Sequence, residues 1–254
     1  MSKIELSLEG KVALVTGASR GIGRAIAVAF GAHGAAVSVS ARNVEDLEQT
    51  AKLVEEAGGR ALVVPCDVTQ TDQVEAMVHQ TISGLGGLEI IVNNAGGTRF
   101  MSPLAAMRED GWNKVIDLNL TSVFRVCKAV APHLIEQKKG SVINISSIDG
   151  VEPTPLRANY SAAKAGVIAL TRVLSQEWAE LGIRVNTISP GAVSTEIWGS
   201  LIEDEHFVKM VTDRIPMKRW ATPEEIASTA VYLASDAASY VTGANFIVDG
   251  GSTA

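Results

Sequence analysis

Short apolar runs rich in β-branched residues recur along the chain at Val12–Val15, Ala36–Ser40, Ala61–Pro65, Leu88–Val92, Ser141–Ile145, Ile183–Ile188 and Asn245–Val248. Between them lie longer segments of helical character near Ile22–His33, Glu45–Ala57, Thr71–Ser83, Gly111–Gln137, Tyr160–Leu181 and Pro223–Ser235. Runs that are apolar throughout, rather than alternating, belong to strands buried on both faces, and regular alternation with helices points to a parallel sheet. The pattern therefore predicts an α/β fold: a single domain over residues 1–254 with a doubly wound, seven-stranded parallel sheet flanked by helices. No linker rich in Pro, Gly or Ser interrupts it.

The least regular stretch is 192–221, where Trp198, Phe207, Met210, Met217 and Trp220 stand among mixed charges. Long segments of this kind in compact domains are often lids or binding loops. A lid is expected here, with Trp198, Phe207, Met210 and Trp220 as an apolar pocket wall. The Tyr160–Trp178 helix is apolar around much of its circumference, through Ala162, Ala163, Val167, Ile168, Leu170, Val173 and Leu174. A helix so broadly apolar is expected to face the sheet on one side and a partner subunit on the other.

Composition narrows the classes. A net charge of −6 with no basic cluster argues against a nucleic-acid or anionic-membrane partner. No apolar run approaches the ~20 residues of a membrane span. The start, Met-Ser-Lys-Ile-Glu-Leu, lacks the apolar stretch of a signal peptide. Cys66 and Cys127 have no metal-ligand spacing and read as core residues of a reducing compartment, so a cytoplasmic location is expected. His33, His79, His133 and His206 are scattered singly, which suggests neither a metal site nor a histidine triad.

The first strand turns directly into a helix through Thr16-Gly-Ala-Ser-Arg-Gly-Ile-Gly23. Gly17 permits a tight turn, Gly21 lets a pyrophosphate approach the backbone, and Gly23 lets the helix pack on the sheet. The helix N-terminus offers unpaired N–H groups to phosphate. The spacing Gly-x3-Gly-x-Gly differs from Gly-x-Gly-x-x-Gly, yet its place after the first strand marks a Rossmann-like dinucleotide site. NAD binders usually end the second strand in Asp or Glu, which holds the ribose 2′-hydroxyl. Here that strand ends Ser40-Ala41-Arg42, and Arg20 lies in the glycine turn. Two guanidinium groups suit a 2′-phosphate, so NADP(H) is favoured over NAD(H).

Tyr160 and Lys164 stand four residues apart on one helix face. Lowering a phenol from ~10 by about three units needs roughly 4 kcal/mol. One ammonium about 5 Å away supplies on the order of 3 kcal/mol at an effective dielectric of about 20. A second cation, such as an oxidised nicotinamide, would complete the shift and give an acid/base pair.

Taken in order, the glycine turn, Asn93-Asn-Ala-Gly96, Ser147, Tyr160-x3-Lys164, Pro190-Gly191 and the tail Val241-Thr-Gly-Ala-Asn-Phe-Ile-Val-Asp-Gly-Gly resemble the short-chain dehydrogenase/reductase family from about Gly10 to Gly251. The resemblance implies that Tyr160 is the general acid/base, that Lys164 depresses its pKa and bonds the nicotinamide ribose, and that Ser147 rather than Ser146 polarises the substrate oxygen. It implies that Asn119 holds a water extending the proton relay. It also implies a cofactor site formed by Gly17, Ser19, Arg20, Gly21, Ile22, Gly23, Arg42, Asp67, Val68, Asn94, Tyr160, Lys164, Pro190, Gly191, Val193 and Thr195. Within that site Asp67 and Val68 flank the adenine, Asn94 lines the cleft, and Val193 and Thr195 meet the carboxamide. A homotetramer is the assembly the family implies.

The activity expected is interconversion of a small-molecule ketone and a secondary alcohol, in the direction of NADPH-dependent carbonyl reduction. A 3-oxoacyl carrier-protein reductase is the near alternative. Basic residues that would grip an acidic carrier are represented by Lys138 and Lys139, whereas Glu177 and Glu180 oppose it. A nucleotide-binding regulator without chemistry is the alternative of another class, and the intact Asn-Ser-Tyr-Lys set speaks against it.

Overall fold

The computed structural model describes residues 6–97 and 101–254. The first five residues, part of the start read above as lacking a leader, lie outside it. The seven strands are β1 (Val12–Thr16), β2 (Ala36–Ala41), β3 (Arg60–Pro65), β4 (Ile90–Asn93), β5 (Gly140–Ile145), β6 (Ile183–Pro190) and β7 (Asn245–Val248). They form one wholly parallel sheet in the order β3-β2-β1-β4-β5-β6-β7.

Helices cover both faces, which is why the strand sequences do not alternate. On one side α1 (Gly21–Ala32), α2 (Val44–Glu56) and α8 (Pro223–Ala234) bury Ile26, Phe30, Leu47, Val54 and Ile226 against Ala13, Val15, Ile90 and Ile143. On the other, α3 (Thr71–Leu85), α5 (Ser122–Gln137) and α6 (Ala158–Trp178) bury Met77, Val126, Val130, Val167 and Trp178 against Leu14, Ile91, Val142 and Val185. Among the described residues no helix is long and apolar enough to cross a membrane.

Two segments differ from the sequence reading. The single helix expected over Gly111–Gln137 is α4 (Glu109–Ile116) and α5 joined through a π turn, Asp117–Thr121. The stretch 192–221 is more regular than expected. It contains a 3-10 segment, Glu196–Glu203, and α7 (Glu205–Thr212), which Asp204 caps by accepting from the His206 and Phe207 N–H groups. Its neck closes where Val193 bridges Ala221.

A buried polar ladder fixes α6 on the middle of the sheet. Asn93 Nδ2 donates to Asn144 Oδ1, Asn144 Nδ2 donates to Thr171 Oγ1, and the Thr187 hydroxyl donates to the same Thr171 oxygen, each at 2.8 Å. Because buried polar groups are costly unless paired, this ladder specifies one seating of α6. Strand order reverses between β1 and β4, and the crevice outside their carboxyl ends is where such folds bind ligands.

Candidate active site

That crevice is a cleft of about 920 Å³. Seventeen of the eighteen residues expected at the site line it, from Arg42 and Asp67 at one end, past the glycine turn, to Ser147, Tyr160, Lys164, Pro190, Gly191, Val193 and Thr195.

The turn after β1 is held open by its neighbours. Gly17 and Gly21 have φ of +64° and +54°, the left-handed region that favours glycine. A Cβ on Gly23 would collide with the Gly17 carbonyl and Asn94 Nδ2, so the third glycine is required by packing. Asn94, expected to line the cleft, also braces this turn: its Nδ2 donates to the carbonyls of Thr16 and Gly17 at 3.0 and 3.1 Å. From α2, the Thr50 hydroxyl donates to the Ala18 carbonyl at 2.9 Å, and from α1 Arg24 donates to the Ser19 carbonyl. At the start of α1, Arg20 supplies no side-chain cap and the first turn bears no acid. A dinucleotide fits this arrangement: the helix end faces the cleft with open N–H groups and uncompensated positive potential.

Farther along, Asp67 accepts from the N–H and hydroxyl of Thr69 at 3.0 and 2.8 Å. Burial alone would raise its carboxyl, yet those bonds and the Arg42 and Arg125 charges hold it below the usual range. Among the described residues the guanidinium groups of Arg20 and Arg42 have no ion-pair partner, which suits an anionic ligand. Asn43, which caps α2, and Asp46 in its first turn line this end too, and neither stood in a motif that the sequence reading could single out. Cys66 lines the cleft as well, and burial pushes its thiol up to about 11.

At the reacting end, α6 presents Tyr160 and Lys164. Lys164 is 3% exposed, and its Nζ donates to the Ile145 carbonyl at 2.8 Å. The Ser146 hydroxyl donates to the Lys164 carbonyl at 2.8 Å, whereas the Ser147 side chain lies on the cleft with Tyr160 and acts to lower the pKa of its phenol. The two adjacent serines are thereby told apart, and Ser147 is the one that faces the phenol.

Asn119 does not line the cleft. It sits in the π turn, fully buried, where its Oδ1 accepts from Gly97 N–H at 2.7 Å and its Nδ2 donates to the carbonyls of Gly97 and Val115 at 3.1 and 2.9 Å. A Cβ on Gly96 would come within 2.7 Å of Asn119 Oδ1 and 3.3 Å of Lys164 Nζ, so the two side chains converge on that glycine from behind the cleft wall.

The expected lowering of the phenol counts on two cations, and the protein contributes only one of them. Lys164 does not pull the phenol down in the protein alone: burial, reinforced by Asp149, pushes Tyr160 up to about 12 against opposition from Ser147 and Arg157. Burial also pulls Lys164 down to about 8. The ammonium lies 5.7 Å from the centroid of the phenol ring, and its own desolvation weakens the charge it was expected to lend.

The expected apolar wall is only partly formed. Trp198 lines the cleft, with its indole N–H donating to the Val193 carbonyl at 2.9 Å. Phe207 and Trp220 instead pack on Trp198 and on each other, with centroids 5.0 to 6.3 Å apart, and Met210 is exposed. The cleft also holds Lys114, Asp117, Asp149, Thr154 and Arg157, which carried no recognisable motif.

Residues 17–253 match the family model described as enoyl-(acyl carrier protein) reductase. The chain is 43% identical to 3beta-hydroxysteroid dehydrogenase 1 of Eggerthella lenta over 249 residues, covering 97% of this chain and 95% of that protein. It is 39% identical to the 3-oxoacyl-[acyl-carrier-protein] reductase FabG of Thermotoga maritima over 246 residues, covering 97% and 99%. Among solved structures it resembles, with a TM-score of 0.88 and 37% identity over 97% of each chain, a candidate 2-deoxy-D-gluconate 3-dehydrogenase from Agrobacterium tumefaciens with bound NADP.

Replacing Lys164 by Met should change the pH dependence of stability. A lysine that titrates near 8 when folded and at 10.5 when unfolded destabilises the fold fully below about pH 8, and that penalty is relieved as pH rises toward 10.5. Urea denaturation should therefore show the native protein gaining on Lys164→Met across this window, and parallel curves would refute the buried ammonium.

Proposed function

The chain belongs to the short-chain dehydrogenase/reductase family, oxidoreductases that act on CH–OH and C=O groups with NAD(P), and we propose that it is an NADPH-dependent carbonyl reductase working through Ser147, Tyr160 and Lys164. The single observation that carries this reading is the Ser147–Tyr160 hydroxyl pair at the end of a cleft whose other end holds Arg20 and Arg42. When bound, the nicotinamide supplies the hydride and, once oxidised, a positive charge. Tyr160 holds its proton firmly, which suits a donor to a developing alkoxide, and Ser147 adds a second hydrogen bond at that oxygen. Lys164, which lines the same cleft, would hold the nicotinamide ribose. Asn119 holds the 96–97 backbone in place and, in this reading, the end of a proton relay.

The segment 192–221 acts as the lid over the substrate end, its Trp198 in the cleft wall. A cytoplasmic location agrees with two free, buried cysteines. A homotetramer is supported by the outer face of α6, where Ala162, Ala165, Ala169 and Val173 are exposed, and by exposed Phe124 on α5. A second reading, 3-oxoacyl-carrier-protein reduction, is favoured by the Thermotoga relative and by exposed Lys138 and Lys139. A strong preference for carrier-bound substrates over small ketones would select it.

Tyr160→Phe should lower turnover by about 10²–10⁴-fold while leaving NADPH binding intact, and retained turnover would remove Tyr160 from the chemistry. Arg42→Asp should shift the NADPH/NADH ratio of kcat/KM toward NADH by about tenfold or more, because it exchanges a favourable charge for a repulsive one. An unchanged ratio would undo the phosphate assignment. Sizing in solution should give a tetramer, and a clean monomer would refute the partner-facing role of α6.

A further inference from the structure

The connection between Ser147 and Tyr160 carries buried charge that the proton transfer above does not use. Asp149 sits in the 3-10 turn Ile148–Gly150 directly after Ser147, and it is 4% exposed. Its Oδ2 accepts from Arg157 Nη1 at 2.8 Å and its Oδ1 from the Thr154 hydroxyl at 2.6 Å. Arg157 immediately precedes α6, three positions before Tyr160. The ion pair thus bridges the element that bears Ser147 to the element that bears Tyr160.

The covalent route between those elements is a poor spacer. Residues 151–156 are exposed, and Leu156 is held at a φ of +71°, a strained conformation for a bulky side chain. A carboxylate buried without its partner is strongly disfavoured, so the ion pair gives the loop a reason to fold back and hold that strain. Two further contacts make the arrangement specific. The Asp149 N–H donates to Ser147 Oγ at 3.1 Å, which occupies a lone pair and leaves the serine proton to point elsewhere. A Cβ on Gly150 would lie 2.7 Å from the Lys164 carbonyl carbon, so the turn sits flush on the α6 backbone.

We propose that Asp149 and Arg157 are positioning residues whose ion pair clamps the Ser147 turn to the start of α6 and so fixes the two reacting hydroxyls against each other. The proposal rests on the reading of Ser147 and Tyr160 as the reacting pair. Other charged groups reach the same cleft: Lys164 from α6 itself, Lys114 and Asp117 from α4 and the π turn, and Glu196 from the 192–221 segment. Of the pair, Asp149 favours the protonated phenol and Arg157 opposes it, so their removal has opposite electrostatic signatures.

The test uses Asp149→Asn, Arg157→Gln and Arg157→Lys in the full chain. With NADPH and a ketone, the first two should lose about 10- to 100-fold in kcat with NADPH affinity by fluorescence titration held within about twofold, and Arg157→Lys should recover most of the loss. Fluorotyrosine NMR of the ligand-free protein, in which the chain's three tyrosines give three signals, should show the Tyr160 midpoint falling in Asp149→Asn and rising in Arg157→Gln. A kcat unchanged in both variants, or midpoints that move together, would overturn the clamp. Should Arg157→Gln fail to fold, the double variant Asp149→Asn/Arg157→Gln, which buries no charge, must still show the kcat loss. Wild-type protein that reduces no ketone with NADPH defeats the functional reading instead, and the NMR midpoints then decide the clamp alone.

Discussion

An ammonium taken out of water costs several kcal/mol unless polar atoms receive it, and at Lys164 the receiver is a carbonyl rather than a carboxylate. A strand end is one of the few places in a domain interior where a backbone carbonyl is left over from sheet pairing. Lys164 takes that of Ile145, at the carboxyl end of β5. The demand propagates outward. The helix must cross the sheet at one height, which the Asn93–Asn144–Thr171–Thr187 ladder enforces. Neighbouring chain must come close without side chains, which explains glycine at positions 96 and 150. Tyr160, one turn earlier on the helix, then has a single place to go.

The cleft joins two electrostatic regimes. At one end open helix N–H groups and two arginines give positive potential in partly exposed surroundings. At the other, burial dominates, and a phenol and an ammonium both lean toward their neutral forms.

The sheet was legible because strands buried on both faces are predominantly apolar and β-branched, a signal that survives in a single sequence even with the buried Asn93, Asn144 and Thr187 among them. The glycine turn and the Tyr160–Lys164 spacing were legible because each fixes local backbone geometry within a few residues. The features that escaped share another property: they are pairings between residues whose relation depends on the fold. Asp149 and Arg157 meet only because an irregular loop doubles back. Trp198, Phe207 and Trp220 announce an apolar cluster but not whether it faces ligand or itself. The depth at which Tyr160 is buried, which pushes its phenol up in the protein alone, likewise depends on the fold and left no mark in the sequence.

The π turn at Asp117–Thr121 places one surplus residue inside what is otherwise a continuous helix. Each residue of an α-helix advances the phase by about 100°, so the surplus rotates α4 and α5 relative to each other. Lys114 is thereby turned toward the cleft while Val123, Val126 and Val130 keep facing the sheet. Helix phase is indifferent to most substitutions and unforgiving of changes in length. Deleting one residue here would rejoin the helix in perfect register and swing every side chain upstream of it away from its station.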